Sequence, residues 1–357
     1  MSRGARLAGY GAVSTSLSLR SDRELGDLVD AAAPLGSGIG GTSSLLEVGG
    51  TPVFVKRVPL TELELRPENV RSTANLFALP TFVHYGLGIP GGPGFGAWRE
   101  LAVHTKTTNW VLAGDHEGFP LIYHWRVLPH SGQTLPEQLA DVDKAVAYWG
   151  GGTAVRRRIE ALGESSASVA LFLEYIPDNL HDWLGVQLEA GDPAAADATC
   201  AMVARELAAG ISFMNAHELL HLDGHFQNIL TDGRRLFFAD YGLAISSRFD
   251  LAKEEADFFA AHQTYDRSYT ATHLVLWLAT ALYGYGEEGR NAFIKACLQG
   301  ERPTGIPQQA AEILTRNAPI AAVMTDFYRR FQLESRLARY PVEEILRIGA
   351  SDGSFAA

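Results

Sequence analysis

Apolar residues fall in short runs bounded by glycine and turn residues in the first half of the chain and recur at helical spacing through most of the second, so strands are predicted early and helices late. Ser21-Asp22-Arg23-Glu24 has the form of a capping box and predicts a helix to about residue 33, ended by the glycines that follow. Two apolar runs, 45–48 and 53–58, flank Gly49-Gly50 and predict a hairpin. A long connection then leads to a helix over 97–111, and its stretch from Gly86 to Gly96 is too rich in Gly and Pro for a regular element. A strand over 119–127, helices over 136–148 and 154–162 and a strand over 169–175 complete this part. Beyond Pro177 come helices over 180–188 and 194–216, a short loop, a hairpin over 229–238 turning at Asp232-Gly233, and further helices. Residues 1–20, rich in Gly and Ser, are expected to form a flexible tail.

Composition narrows the functional classes. With 357 residues, 46% of them hydrophobic, the chain can bury a substantial core in about two domains or one bilobal unit. A formal charge of −11 argues against nucleic acid as a partner, since phosphate backbones are bound by Lys and Arg. Cys200 and Cys297 both sit in apolar helical stretches and are expected to be reduced core residues. The N-terminus lacks the apolar run of a secretion signal, and the longest apolar run, 274–283, is too short to span a bilayer. The expectation is a cytoplasmic protein with no membrane partner. Lysine is scarce, so Lys56, inside an apolar strand, invites a chemical question.

The densest chemical signal is His221-Leu222-Asp223-Gly224-His225-Phe226-Gln227-Asn228, followed after the short hairpin by Asp240-Tyr241-Gly242. Phosphoryl transfer needs a carboxylate to take the acceptor's proton and oxygen ligands for magnesium, and these positions supply both. The set resembles the catalytic and metal-binding loops of protein kinases, with Tyr241 in place of the usual Phe. The resemblance makes Asp223 the catalytic base, Asn228 and Asp240 the magnesium ligands, and His221 the brace of the loop.

Upstream, Gly36, Gly38, Gly40 and Gly41 precede the strand bearing Lys56, in the order of a kinase glycine-rich loop and its phosphate-binding lysine. No Gly-Lys-Ser/Thr follows the glycines, which excludes a P-loop. Glu100 is the expected carboxylate partner of Lys56, with Glu64 and Glu68 as rivals. Glu174, Tyr175 and Ile176 match the segment whose backbone hydrogen-bonds adenine. Four further features carry less weight: His225 as a phosphate or acceptor contact, Arg156-Arg157-Arg158 as a solvated face or a grip for an acidic partner, Asp266 as a brace from a later helix, and 88–96 as a surface loop or the acceptor entrance.

The resemblance covers about residues 30–290. It implies an α+β, bilobal protein-kinase-like fold: a β-rich N-lobe over 21–176 with helical insertions, a mainly helical C-lobe over 177–357, and ATP with Mg2+ in the cleft. Two branches of the superfamily have a claim on the acceptor. One is Ser or Thr of a peptide or protein substrate; insertions at 67–96 and 132–168 could build its docking surface, and the organisation resembles the kinase subunit of a class V lanthipeptide synthetase, which works with a partner lyase. The other is a small-molecule acceptor, suggested by His225, where protein kinases carry Lys, by the missing Ala-Pro-Glu motif, and by the acidic residues Asp250, Glu254, Glu255 and Asp257. A pseudokinase scaffold is the third alternative.

Overall fold

The computed structural model describes residues 3–88, 91–129 and 135–352; parts of both expected insertions, at 89–90 and 132–134, therefore lie outside the described residues. The fold is α+β. Its contacts divide it into two compact units: residues up to Ile176 together with Ala239–Ala256, and Pro177–Phe238 together with the residues from Asp257 onward.

The first unit is built on a five-stranded sheet in the order β1-β2-β3-β5-β4, formed by β1 (Ala33–Gly38), β2 (Gly41–Val48), β3 (Thr51–Leu60), β4 (Ile122–Pro129) and β5 (Ala167–Glu174). Every neighbouring pair is antiparallel. Gly49 and Gly50 make the β2–β3 turn with φ of 58° and 79°, the left-handed values that a tight hairpin demands. One face of the sheet packs Val58, Leu60, Val169 and Leu171 against Ala97, Trp98 and Leu101 of α4 (Ala97–Ala113). Both faces of β5 are covered, which is why its sequence is continuously apolar rather than alternating. Shorter helices, α3 (Glu62–Leu65), α5 (Glu137–Ala140), α6 (Val142–Tyr148) and α7 (Thr153–Gly163), fill the connections.

Three expectations are corrected. Arg3–Ser18 forms helix α1 where a flexible tail was expected; Arg6, Val13 and Leu17 are buried, so tertiary contact supplies what Gly4, Gly9 and Gly11 remove in helix propensity. The capped helix α2 (Asp22–Asp30) ends earlier than expected, and the Gly- and Pro-containing segment after it becomes the edge strand β1, where an imperfect ladder is tolerated.

The third correction concerns Ala239–Ala256, expected in the C-terminal lobe but belonging with the first unit. Tyr241 is fully buried there with its ring edge-on to His104 of α4, centroids 4.8 Å apart. Glu255, also buried, lies 2.8 Å from the buried guanidinium of Arg99 and 3.9 Å from His84. Burial pushes the Glu255 carboxyl up, but His84 and Arg99 outweigh it and hold it down at about 2. A depressed carboxyl stabilises the fold above its unfolded value of 4.5, and that contribution is lost as pH falls toward 2. Glu255→Gln should therefore remove on the order of 3 kcal/mol at neutral pH and flatten the acid limb of a urea-stability profile measured from pH 7 to pH 3.

In the second unit, β6 (Asp178–Asn179) leads into α8 (Leu180–Glu189), capped by the Asn179 side chain, and then α9 (Pro193–Ala216). After β7 (Leu219–Leu220), the hairpin of β8 (Ile229–Thr231) and β9 (Leu236–Phe238) turns at Gly233, whose φ is 78°. The chain next runs through β10 (Ile245–Ser246) of the first unit and re-enters the second within α10 (Lys253–Ala261). Helices α11 (Tyr265–Tyr283), α12 (Glu287–Leu298), α13 (Gln308–Leu333) and α14 (Val342–Asp352) complete it. Val203, Leu207, Leu274, Val275, Leu314 and Met324 form part of its core, and Cys200 and Cys297 are free and buried. Gly210 of α9 faces Phe238 so closely that an added Cβ would stand 2.1 Å from the ring. Gly210→Ala should thus lower stability by about 1–3 kcal/mol, overpacking outweighing the gain in helix propensity, and a thermal melt checks it.

Candidate active site

In the first unit, the β3 register sets Lys56 opposite Ser43 and Leu171, with its side chain buried. Its Nζ lies 2.7 Å from Glu100 Oε1 and 2.9 Å from Asp240 Oδ1. Burial disfavours the ammonium, but Asp240 and Glu100 outweigh it and hold Lys56 charged above the ordinary lysine range. Glu100, on α4, is raised to about 7 by burial, with Lys56 opposing. The site thus presents a lysine ammonium held by the buried carboxyl of Glu100 and the more exposed one of Asp240.

The position of Glu100 follows from how α4 begins. Glu64 Oε1 accepts from the Ala97 N–H at 3.0 Å, its other oxygen bonds Thr61 and Arg158, and an added Cβ on Gly96 would meet it at 2.6 Å. Glu64 is thereby committed to seating the helix, and Glu68 is exposed in a short turn; of the three carboxylates considered from the sequence, Glu100 is the one against Lys56. Arg158 is buried on Glu64, whereas Arg156 makes exposed ion pairs with Asp143 and Glu160, so the arginine run is not one solvated face.

The glycine run divides by role. Gly36 and Gly38 lie in β1 with open space at the Cβ position or only a distant contact. Gly41 has φ of 118° and an added Cβ would lie 2.0 Å from the Arg57 carbonyl oxygen, so only Gly fits. Gly40, in the turn, would bring a Cβ to 2.8 Å from Lys56 Nζ, which puts the backbone of the turn directly beside the charged group. Asp240 holds a left-handed φ of 60°, a conformation a non-glycine residue keeps only where surrounding structure imposes it. At the end of β5, the Glu174 N–H is taken by the Leu121 carbonyl at 2.8 Å, and half-buried Tyr175 and Ile176 follow.

In the second unit, loop 221–228 is pinned from α11. Asp266 accepts the N–H of His221 at 2.6 Å and of Leu222 at 2.7 Å, forcing Leu222 to a φ of 63°. Burial raises Asp266 to about 6, partly offset by those two donors. The Asn228 amide donates to the Asp223 carbonyl at 3.0 Å and to its carboxylate at 3.1 Å, closing the loop on itself. His221 is buried and its Nδ1 accepts the Asp223 N–H at 3.3 Å. His225 Nε2 lies 3.7 Å from Asp223 Oδ1. Asp223 is thus a partly exposed carboxylate in a braced loop, the form a general base takes.

The chain matches no protein-family model and no curated protein.

The site therefore has to be judged on its own chemistry. Among the described residues no group of three or more His, Cys, Asp and Glu is arranged to hold a metal ion, and no helix is long and apolar enough to cross a membrane. Asp240 offers a carboxylate and Asn228, its amide nitrogen engaged, an amide oxygen. Each, taken by itself within its own unit, is a hard oxygen donor of the kind Mg2+ takes, rather than the nitrogen or sulfur that zinc favours. The residues that sequence reasoning passed over are Arg6, set aside in a presumed tail, and Arg99, whose buried pairing with Glu255 no local pattern marks.

Proposed function

We propose that this chain is an ATP- and magnesium-dependent phosphotransferase acting on a hydroxyl group. The observation that carries the reading is the meeting of Lys56, Glu100 and Asp240: three stretches of sequence bring two carboxyl groups each within 3 Å of one lysine ammonium, at the positions the kinase resemblance assigns to phosphate and metal. In this reading Lys56 binds the nucleotide phosphates. The kinase resemblance makes Asp240 and Asn228 the residues that would hold magnesium, whose chemistry there would be to neutralise phosphate charge. Asp223 takes the proton of the acceptor hydroxyl as its oxygen bonds to the terminal phosphorus, and the bond from that phosphorus to the leaving oxygen of ADP breaks. A pseudokinase scaffold is disfavoured because the base, the lysine and the oxygen ligands are all present.

For the acceptor we favour Ser or Thr of a peptide or protein, as in a lanthipeptide precursor whose phosphate a partner lyase would later eliminate. A groove of about 630 Å³ in the second unit, lined by Val186, Leu276 and Trp277 but also by His181, Asp182, Glu189 and Arg290, contains His273, the neighbour of His225. The acidic run gives the small-molecule reading less than its sequence suggested, since Glu255 is spent on Arg99. The test is Mg2+-ATP turnover against Ser/Thr peptides and hydroxylated small molecules, with products identified by mass. Phosphopeptide supports the peptide reading, phosphorylation of small molecules alone replaces it, and no ATP binding at all rejects phosphotransfer.

A further inference from the structure

The end of β5 is held by a residue from the other end of the chain. Arg6, on α1, is buried, and its guanidinium bonds both oxygens of Glu174, Nε at 2.8 Å and 3.0 Å and Nη2 at 2.6 Å. The same guanidinium donates to the carbonyl of Glu117 at 3.0 Å and to that of Phe119. Glu174 in turn accepts the Leu121 N–H at 3.1 Å on its carboxylate, while its own N–H donates to the Leu121 carbonyl. One planar, two-sided donor thus ties the last residue of β5 to the loop that enters β4. A lysine could carry the charge but not this fork.

Position matters here because Glu174 immediately precedes Tyr175 and Ile176. Without Arg6 the Glu174 carboxylate, only 11% exposed, would keep its burial and lose its counter-charge. It would swing toward water, carrying the end of β5 with it. Lys56, in the middle of β3 and anchored by Glu100 and Asp240, would not be disturbed by that movement.

We propose that Arg6 is a positioning residue for the nucleotide base: through Glu174 it fixes the backbone of 174–176 in the place where that backbone reads adenine. The inference rests on the phosphotransferase reading above. It separates base recognition, set from α1, from phosphate recognition, set by Lys56, and that separation can be measured.

Binding of ATP, GTP and inorganic triphosphate, each with Mg2+, would be titrated by calorimetry for the wild-type chain, Arg6→Ala and Arg6→Lys, alongside thermal melts. For a folded variant, ATP affinity should fall about tenfold, the worth of a base hydrogen bond lost to misalignment. The preference for ATP over GTP should fall with it, and affinity for inorganic triphosphate should stay unchanged. A merely structural role would weaken all three ligands together or none. If Arg6→Ala does not fold, Arg6→Lys, which keeps the charge and stem, decides. An unchanged ATP to GTP ratio in a folded variant overturns the positioning role and leaves phosphotransfer standing, whereas a wild-type chain that binds none of the three overturns both.

Discussion

Asp223→Asn should leave the fold and nucleotide binding intact and cut turnover by a factor of about 10²–10⁴, the usual worth of a positioned general base. The substitution is nearly isosteric. The Asn228 amide can still donate to the side-chain oxygen and to the Asp223 carbonyl, and Asp266 still holds the loop from α11. What the proposed mechanism loses is the group that would accept the acceptor's proton. The measurement is single-turnover phosphoryl transfer beside a calorimetric ATP titration and a thermal melt. Transfer at the wild-type rate, with the melt unchanged, would remove Asp223 from the mechanism.

Lys56→Met should abolish measurable transfer and also destabilise the first unit, by about 3–5 kcal/mol, because it strands the buried Glu100 beside Asp240 without a counter-charge. These two effects have different origins and can be separated. Burial already raises Glu100 to about 7, and with the lysine gone its carboxyl rises further, so the single variant should gain stability as pH is lowered toward 5. Adding Glu100→Gln, which removes the stranded charge, should recover part of the melting temperature and none of the turnover. Recovery of transfer in the double variant would mean that Lys56 acts only as a structural counter-ion.

Much of this arrangement could be read from the chain alone, for identifiable reasons. The β2–β3 hairpin was marked by Gly49-Gly50, α2 by a capping box that the structure shows bonded both ways, and β5 by its unbroken apolar run. Lys56 stood out as a charge in an apolar strand, and the kinase resemblance pointed to Glu100 as its partner, with Glu64 and Glu68 as rivals. What escaped has a common cause: it depends on contacts distant in sequence. Helix α1 is poor in helix formers and owes its order to the burial of Arg6, Val13 and Leu17. Arg99 and Glu255 look like ordinary surface helix charges until 239–256 returns to the first unit. Glu64 was a plausible partner for Lys56 by spacing, and only the start of α4 shows that its oxygens are occupied.

The return of 239–256 to the first unit also sets a schedule for biosynthesis. The nascent chain leaves that unit at Ile176 and supplies its last segment about 80 residues later, which at 5–20 residues per second is a wait of roughly 4–16 s on the ribosome. Until then Arg99 and His84 are without Glu255, Lys56 is without Asp240, and the cavity awaiting Tyr241 stays open. The intervening helices α8 and α9 emerge first, so the contacts that close the first unit can form only after part of the second unit has been made.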